Sequence, residues 1–146
     1  MKLEVREFFD NDEFAVVGVS TSRTNFGGSV YLTMKSKGYR VYPVNPKLKE
    51  FSGDRCYRNL SELPRSVRAV LVCVKPSSAI AVTKEAVKCG VKHLWYQQGA
   101  DFSESVKLAR EAGLSTVSGK CALMYAEPAT GVHRFHGLIN KLLGRY

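Results

Sequence analysis

Phe14-Ala15-Val16-Val17-Gly18-Val19 is an apolar run with no polar residue at every second place, closed by Ser20. A strand with one wet face alternates, whereas an unbroken run of this length suits a strand covered on both faces, as in the middle of a parallel sheet. Val67–Val74 is again nearly continuous, and Tyr39–Val44, Val91–Tyr96 and Leu114–Val117 read as further strands. Between these runs lie stretches of helical character: Ser29–Lys37, Pro76–Cys89 and Ser103–Ala112, followed by Gly38, Gly90 and Gly113. Glycine just past a helix supplies the left-handed residue that ends it. Leu3, Val5, Phe8 and Phe9 add a short first helix that Asp10-Asn11-Asp12 would end, and Ser61-Glu62-Leu63-Pro64 reads as a turn or short helix. Pro76 suits a first helical turn, where Ser77 or Ser78 could cap free N–H groups. The order β-α-β-β-α-β-α-β predicts an α/β fold, a parallel sheet with helices on both faces.

The chain has 146 residues, enough for one domain with a hydrophobic core. We read 1–146 as a single domain with its core at about 4–122 and a terminal helix at about 130–143. In that helix Val132, Phe135, Ile139 and Leu142 form one apolar face, which either packs on the sheet or makes a homodimer contact. No apolar run is long enough to span a bilayer, and Met1–Glu7 lacks the apolar core of a signal peptide, so the expectation is a cytoplasmic protein with no membrane partner. Cys56, Cys73, Cys89 and Cys121 are widely spaced and read as reduced, packed thiols. Cys121 follows Gly119-Lys120 beyond the last strand, where a neighbouring lysine could activate it toward a thiol ligand; a packed thiol is the alternative. The net charge of +9 is spread along the chain without a Lys/Arg block. That suits a phosphorylated small molecule better than nucleic acid, which needs a continuous basic surface; scattered solvating charge stays open.

Three strand ends carry the chemistry. After the first, Gly18-Val19-Ser20-Thr21-Ser22-Arg23-Thr24-Asn25-Phe26-Gly27-Gly28 places small residues, hydroxyls, an amide and a cation just before a helix. Small residues let backbone approach a pyrophosphate, and the helix start offers free N–H groups and its dipole. The loop is not G-x-G-x-x-G, since Ser20 stands at the second glycine. It is either a plain turn or a phosphate cradle, and its place between a buried strand and a helix favours the cradle. The second strand ends Val44-Asn45-Pro46-Lys47, without the acid that would accept a hydrogen bond from an unphosphorylated ribose. Lys47 suits a ribose bearing a phosphate, as in NADP or coenzyme A, unless it is only a loop lysine facing solvent. The third contributes Val72-Cys73-Val74-Lys75-Pro76-Ser77-Ser78, and the fourth, Leu94-Trp95-Tyr96-Gln97-Gln98-Gly99, opens on the same rim.

Taken together, Gly18-Val19-Ser20…Phe26-Gly27, Tyr42-Pro43-Val44-Asn45-Pro46, Cys56-Tyr57…Leu60 and Leu94-Trp95-x-Gln97-x-Gly99 resemble the stand-alone coenzyme-A-binding domain proteins (the YccU-like group). These are similar to the N-terminal domain of the succinyl-CoA synthetase alpha subunit. The resemblance covers roughly residues 4–122 and implies a Rossmann-like fold with coenzyme A as its cofactor. It also implies roles. Gly18, Val19, Ser20, Arg23, Asn25, Phe26 and Gly27 would hold the phosphates, and Asn45, Pro46 and Lys47 would face the phosphorylated ribose. Val74, Lys75 and Pro76 would line the adenine side, with Gln97 and Gly99 closing the crevice. The phosphorylated histidine of the synthetases lies in a second domain with no counterpart in this sequence.

Nothing in the sequence composes a catalytic set. His93 falls in a strand, His133 and His136 lack a companion carboxylate or thiol cluster, Glu127 has no partner acid, and no G-x-S-x-G elbow occurs. The expectation is non-catalytic binding of CoA or an acyl-CoA. An NADP-dependent oxidoreductase and a nucleotide-sensing regulator are the alternatives.

Overall fold

The computed structural model describes residues 3–21 and 26–127. The expected terminal helix, with His133 and His136, lies outside them, as do Ser22, Arg23, Thr24 and Asn25. The elements are α1 (Leu3–Phe9), β1 (Glu13–Val17), α2 (Phe26–Ser36), β2 (Arg40–Val44), β3 (Glu50–Phe51), β4 (Asp54–Arg55), β5 (Ala69–Val72), α3 (Pro76–Lys88), β6 (His93–Gln97), α4 (Ser103–Glu111) and β7 (Ser115–Lys120), with 3-10 turns at Leu60–Glu62 and Ala122–Met124.

Five strands form one parallel sheet in the order β2-β1-β5-β6-β7. The lack of alternation in the sequence has its cause here, because successive residues enter different cores. Phe14, Val16, Ala69, Leu71 and Trp95 pack with Val5 and Phe8 of α1 and with Val30, Tyr31 and Met34 of α2. Ala15, Val17, Val70, Val72, Leu94 and Tyr96 pack with Ala79 and Ala86 of α3 and with Val106 and Ala109 of α4. The seven residues of α1 are too few to hold a helix alone. Phe8 anchors it, with its ring 5.3 Å from Phe14 and 5.4 Å from Trp95, each such pair adding about 0.5–1.5 kcal/mol beyond area burial. Asn11 Nδ2 then donates to the carbonyls of Glu7 and Phe8 and closes the helix.

Several elements differ locally from the sequence reading. The polar stretch after β2 contains the β3–β4 hairpin, turning through Ser52 and Gly53 at φ of 52° and 84°. In front of it Tyr31 Oη and Lys35 Nζ both donate to the Asp54 carboxylate, holding that carboxyl below its usual range. No serine caps α3: Lys75 is its N-cap residue, without a side-chain cap bond, and Pro76 opens the helix. Cys56 is buried and Cys73 and Cys121 are partly so, but Cys89 is exposed where α3 ends, so the reading of packed thiols fails there. The most consequential shift is at α2, which begins at Phe26 rather than Ser29 and so takes Gly27 and Gly28 into its first turn.

Those glycines lie against backbone. A Cβ on Gly27 would sit 2.3 Å from the Gly18 carbonyl oxygen and 3.2 Å from Cys73 Cβ. One on Gly18 would sit 2.4 Å from the Cys73 carbonyl oxygen, and Gly18 itself holds φ at 106°. Main-chain atoms cannot rotate aside, so an added methyl must push α2 off the sheet. Gly27→Ala is expected to cost roughly 1–3 kcal/mol. It should appear as a lower urea midpoint, and an unchanged midpoint would contradict the contact.

His93 opens β6 with its Nδ1 buried and without a hydrogen-bond partner. Burial pulls the imidazole below its usual value, against an opposing pull from Glu7 and Asp10. The folded protein therefore takes up this proton later than the unfolded chain does. The associated stability is present above the unfolded value of about 6.5 and is lost as pH falls from there through the folded value. His93→Gln is expected to flatten the decline in urea midpoint between about pH 7 and pH 5; a slope equal to that of the parent would refute it.

Candidate functional site

In the sheet order β2-β1-β5-β6-β7, β1 connects outward to β2, and the chain then crosses back past β1 to enter β5. The carboxyl ends of β1 and β5 are therefore a switch point, where neighbouring connections leave in opposite directions and open a crevice. Main-chain bonds extend the strands to its lip. Gly18 N–H donates to the Val44 carbonyl at 3.1 Å, and Cys73 N–H donates to the Val17 carbonyl at 2.8 Å.

The described candidates all lie at this end of the sheet, but in different capacities. Gly18 and Gly27 bring the first turn of α2 down to the crevice floor. Val19 is wholly buried, so its side chain belongs to the core. Its carbonyl accepts Asn45 Nδ2 at 2.6 Å, while Asn45 Oδ1 accepts the Lys47 N–H at 2.7 Å. Asn45 thus ties the loop after β1 to the loop after β2. Ser20 is half-buried, and Pro46, Lys47 and Lys75 are exposed. Arg23 and Asn25 lie outside the described residues.

On the β5–β6 side, Phe26, Val74, Gln97 and Gly99 line one cleft of about 190 Å³. Phe26 is 47% exposed, an aromatic ring left at the mouth. Gln97 is nearly buried and both ends of its amide are engaged: Nε2 donates to Cys121 Sγ at 3.1 Å, and Oε1 accepts the Ala122 N–H at 3.1 Å. It shapes the wall and holds the turn after β7 in place. The same cleft takes in Val72 and Cys73, from the strand end that the sequence reading marked, and Ala100 and Phe102, which it did not single out. Nothing in the sequence marks Phe102, which arrives through the fold of the loop after β6. Burial, aided by nearby Cys121, pushes the Cys73 thiol up to about 12, so it stays protonated at neutral pH.

Two helices begin at this rim. α2 and α3 have no acidic residue in their first turns, so the positive ends of their dipoles are not offset there by a carboxylate. Such a pair of helix starts over a glycine floor suits a diphosphate. A larger groove, about 570 Å³, runs between α4 and β7, but its cations Lys107 and Arg110 are matched by Asp101 and Glu111. Arg110 Nε is also bound to Thr116 Oγ1 at 3.0 Å. It has no close backbone floor, and the switch point is the better anion site. Among the described residues no group of three or more His, Cys, Asp or Glu side chains could hold a metal ion, and no helix is long and apolar enough to cross a membrane.

The geometry agrees with comparison to known proteins. In sequence, the chain is similar to the uncharacterized protein YneT of Bacillus subtilis (strain 168), with 26% identity over 121 residues, covering 82% of this chain and 90% of that one. It is also similar to the alpha subunit of ADP-forming acetate–CoA ligase II of Pyrococcus furiosus, at 31% identity over 86 residues. That match takes in 58% of this chain but only 18% of the ligase subunit. In structure, a conserved hypothetical protein from Pyrococcus furiosus superposes with a TM-score of 0.74 at 36% identity, covering 78% of this chain and 98% of that one. The family model described as the CoA binding domain matches residues 12–127, from before β1 through the turn after β7. The chain therefore belongs to the CoA-binding domain family, on a Rossmann-like fold.

Proposed function

We propose that the chain binds coenzyme A or an acyl-CoA across the carboxyl rim, between the ends of β1 and β5, and catalyses no reaction of its own. The observation that carries this reading is the Gly18–Gly27 approach, which places the N–H groups opening α2 at the switch point. The diphosphate sits over that floor, and the ribose phosphate faces Asn45-Pro46-Lys47. Of these three, Lys47 is the residue with a charge to give. The cleft lined by Phe26, Val74 and Gly99 receives apolar parts of the ligand. Non-catalytic binding rests on how the rim is furnished. Among the described residues, the rim amides of Asn45 and Gln97 are engaged with the protein itself, and Cys73 is held protonated. Within the described residues, the histidine that the sequence supplies, His93, stands at the opposite end of β6.

Isothermal titration with CoA, dephospho-CoA and NADP tests the reading. CoA is expected to bind at micromolar concentration and dephospho-CoA more weakly. No heat from CoA in that range would end the proposal, and tighter binding of NADP would redirect it. Lys47 is exposed, so its phosphate contact is expected to be worth about 0.5–1 kcal/mol, roughly two- to fivefold in affinity. Lys47→Ala should lose that factor for CoA and leave dephospho-CoA unchanged. An equal loss for both ligands would remove Lys47 from the ribose-phosphate role. Incubation with acetyl-CoA should leave the thioester intact beyond its spontaneous hydrolysis, whereas enzyme-dependent loss would overturn the non-catalytic part.

A further inference from the structure

The β2 edge of the sheet is closed only toward its carboxyl end. Arg40 N–H donates to the Asp12 carbonyl and the Val44 carbonyl accepts Gly18 N–H, both at 3.1 Å. Residues 40, 42 and 44 therefore turn their main-chain groups toward β1, while 41, 43 and 45 turn theirs outward. Tyr57 fills the outward side of the last two. Its N–H donates to the Pro43 carbonyl at 2.8 Å, and its carbonyl accepts Asn45 N–H at 2.9 Å. No described residue is paired beyond Val41, so its outward N–H and C=O stand as a donor and an acceptor at an open edge.

An open groove of about 280 Å³ runs along that stretch and takes its walls from both faces of the sheet. On the α2 face stand Tyr31, Lys35 and Asp54, whose carboxylate is taken up by the other two. On the opposite face stand Tyr42 and Tyr57, edge to face with ring centroids 5.8 Å apart. The exposed Arg40 and Arg55 complete the lining. Arg55 lies 4.6 Å over the Tyr57 ring and, although opposite Glu50 in the hairpin, makes no ion pair among the described residues. Arg40 reaches Glu13 only at 3.8 Å, and that carboxylate also accepts Tyr42 Oη. Arginine and tyrosine around an apolar seam are enriched where proteins dock.

Charge decides what fits. The lining holds Lys35, Arg40 and Arg55 against Asp54, which is already bonded. A second copy of this chain, with net charge +9, would set the same guanidiniums against each other. The chain's own residues beyond 127 carry Arg134, Lys141 and Arg145 and no acidic side chain. We propose that this edge docks an extended acidic segment of a partner protein, added as a strand beside β2. The segment's main chain donates to the Val41 carbonyl and accepts its N–H, while its carboxylates meet Arg40 and Arg55. Arg40 and Val41 open β2 at its amino end, so the proposal does not rest on the ligand proposed at the carboxyl rim.

Three fluorescent hexapeptides test this by anisotropy and by amide chemical shifts of the parent protein. One alternates glutamate with valine, one alternates lysine with valine, and one is the glutamate peptide N-methylated throughout, with the same charge but no strand donors. The glutamate peptide is expected to bind at submillimolar concentration and to shift the Val41 and Arg55 amides. The other two should bind about tenfold more weakly or not at all. Arg40→Glu and Arg55→Glu should each lose about three- to tenfold in affinity, and added salt should weaken binding to the parent. Urea midpoints close to the parent's will show that both variants are folded. No binding of the glutamate peptide, equal binding of the lysine or N-methylated one, or indifference to both substitutions would overturn the proposal. So would displacement of the peptide by CoA, which would place it at the rim. Slowed Val41 amide exchange in the protein alone would also overturn it, in favour of a second copy if the slowing rises with protein concentration and of the chain's own terminal segment if it does not.

Discussion

The backbone of α2 rests on the backbone of the β1 turn, and that turn rests in its turn on the end of β5. Gly27 on Gly18, and Gly18 on Cys73, are approaches too close for any Cβ. They do two things together. They seat the helix that covers one face of the sheet, bringing Val30, Tyr31 and Met34 into the core. They also bring the first turn of that helix to the place where the sheet changes the direction of its connections. Fold and site therefore share one constraint, and a substitution that relaxes it disturbs both.

Around that floor the polar side chains serve mainly as ties. Asn45 joins two loops and Gln97 joins β6 to the turn after β7, each using both ends of its amide. Among the described residues, the exposed Lys47 and Lys75 and an apolar wall with Phe26 at its mouth face outward at this rim. On the proposed reading, such a surface suits a long ligand with phosphates at one part and apolar stretches at another, selected by shape and charge more than by a dense set of side-chain hydrogen bonds.

Much of this was legible in the residues. Unbroken runs such as Phe14–Val19 signal burial on both faces, and Gly38, Gly90 and Gly113 mark helix ends at φ of 94°, 80° and 84°. The candidate residues lie at strand ends, where open α/β sheets bind, and the described ones share one end of the sheet. What the sequence hid was tertiary in origin. Gly27-Gly28 stands before the helix in the sequence reading yet forms its first turn, because close packing outweighs its low propensity. The β3–β4 hairpin has two residues per strand, too few for any periodicity to show. For Asn45 and Gln97 the sequence marks polar residues at the rim but not the partners within the chain that their amides take.

The central claim is that ligand sits over the glycine floor, and backbone amide chemical shifts recorded with and without CoA test it most directly. The expected result is a set of perturbed amides running across the strand ends: Lys47, Gly18, Ser20, Gly27, Gly28, Val74 and Lys75. Perturbations confined to the groove between α4 and β7, at Lys107, Arg110, Ser118 and Gly119, would contradict it.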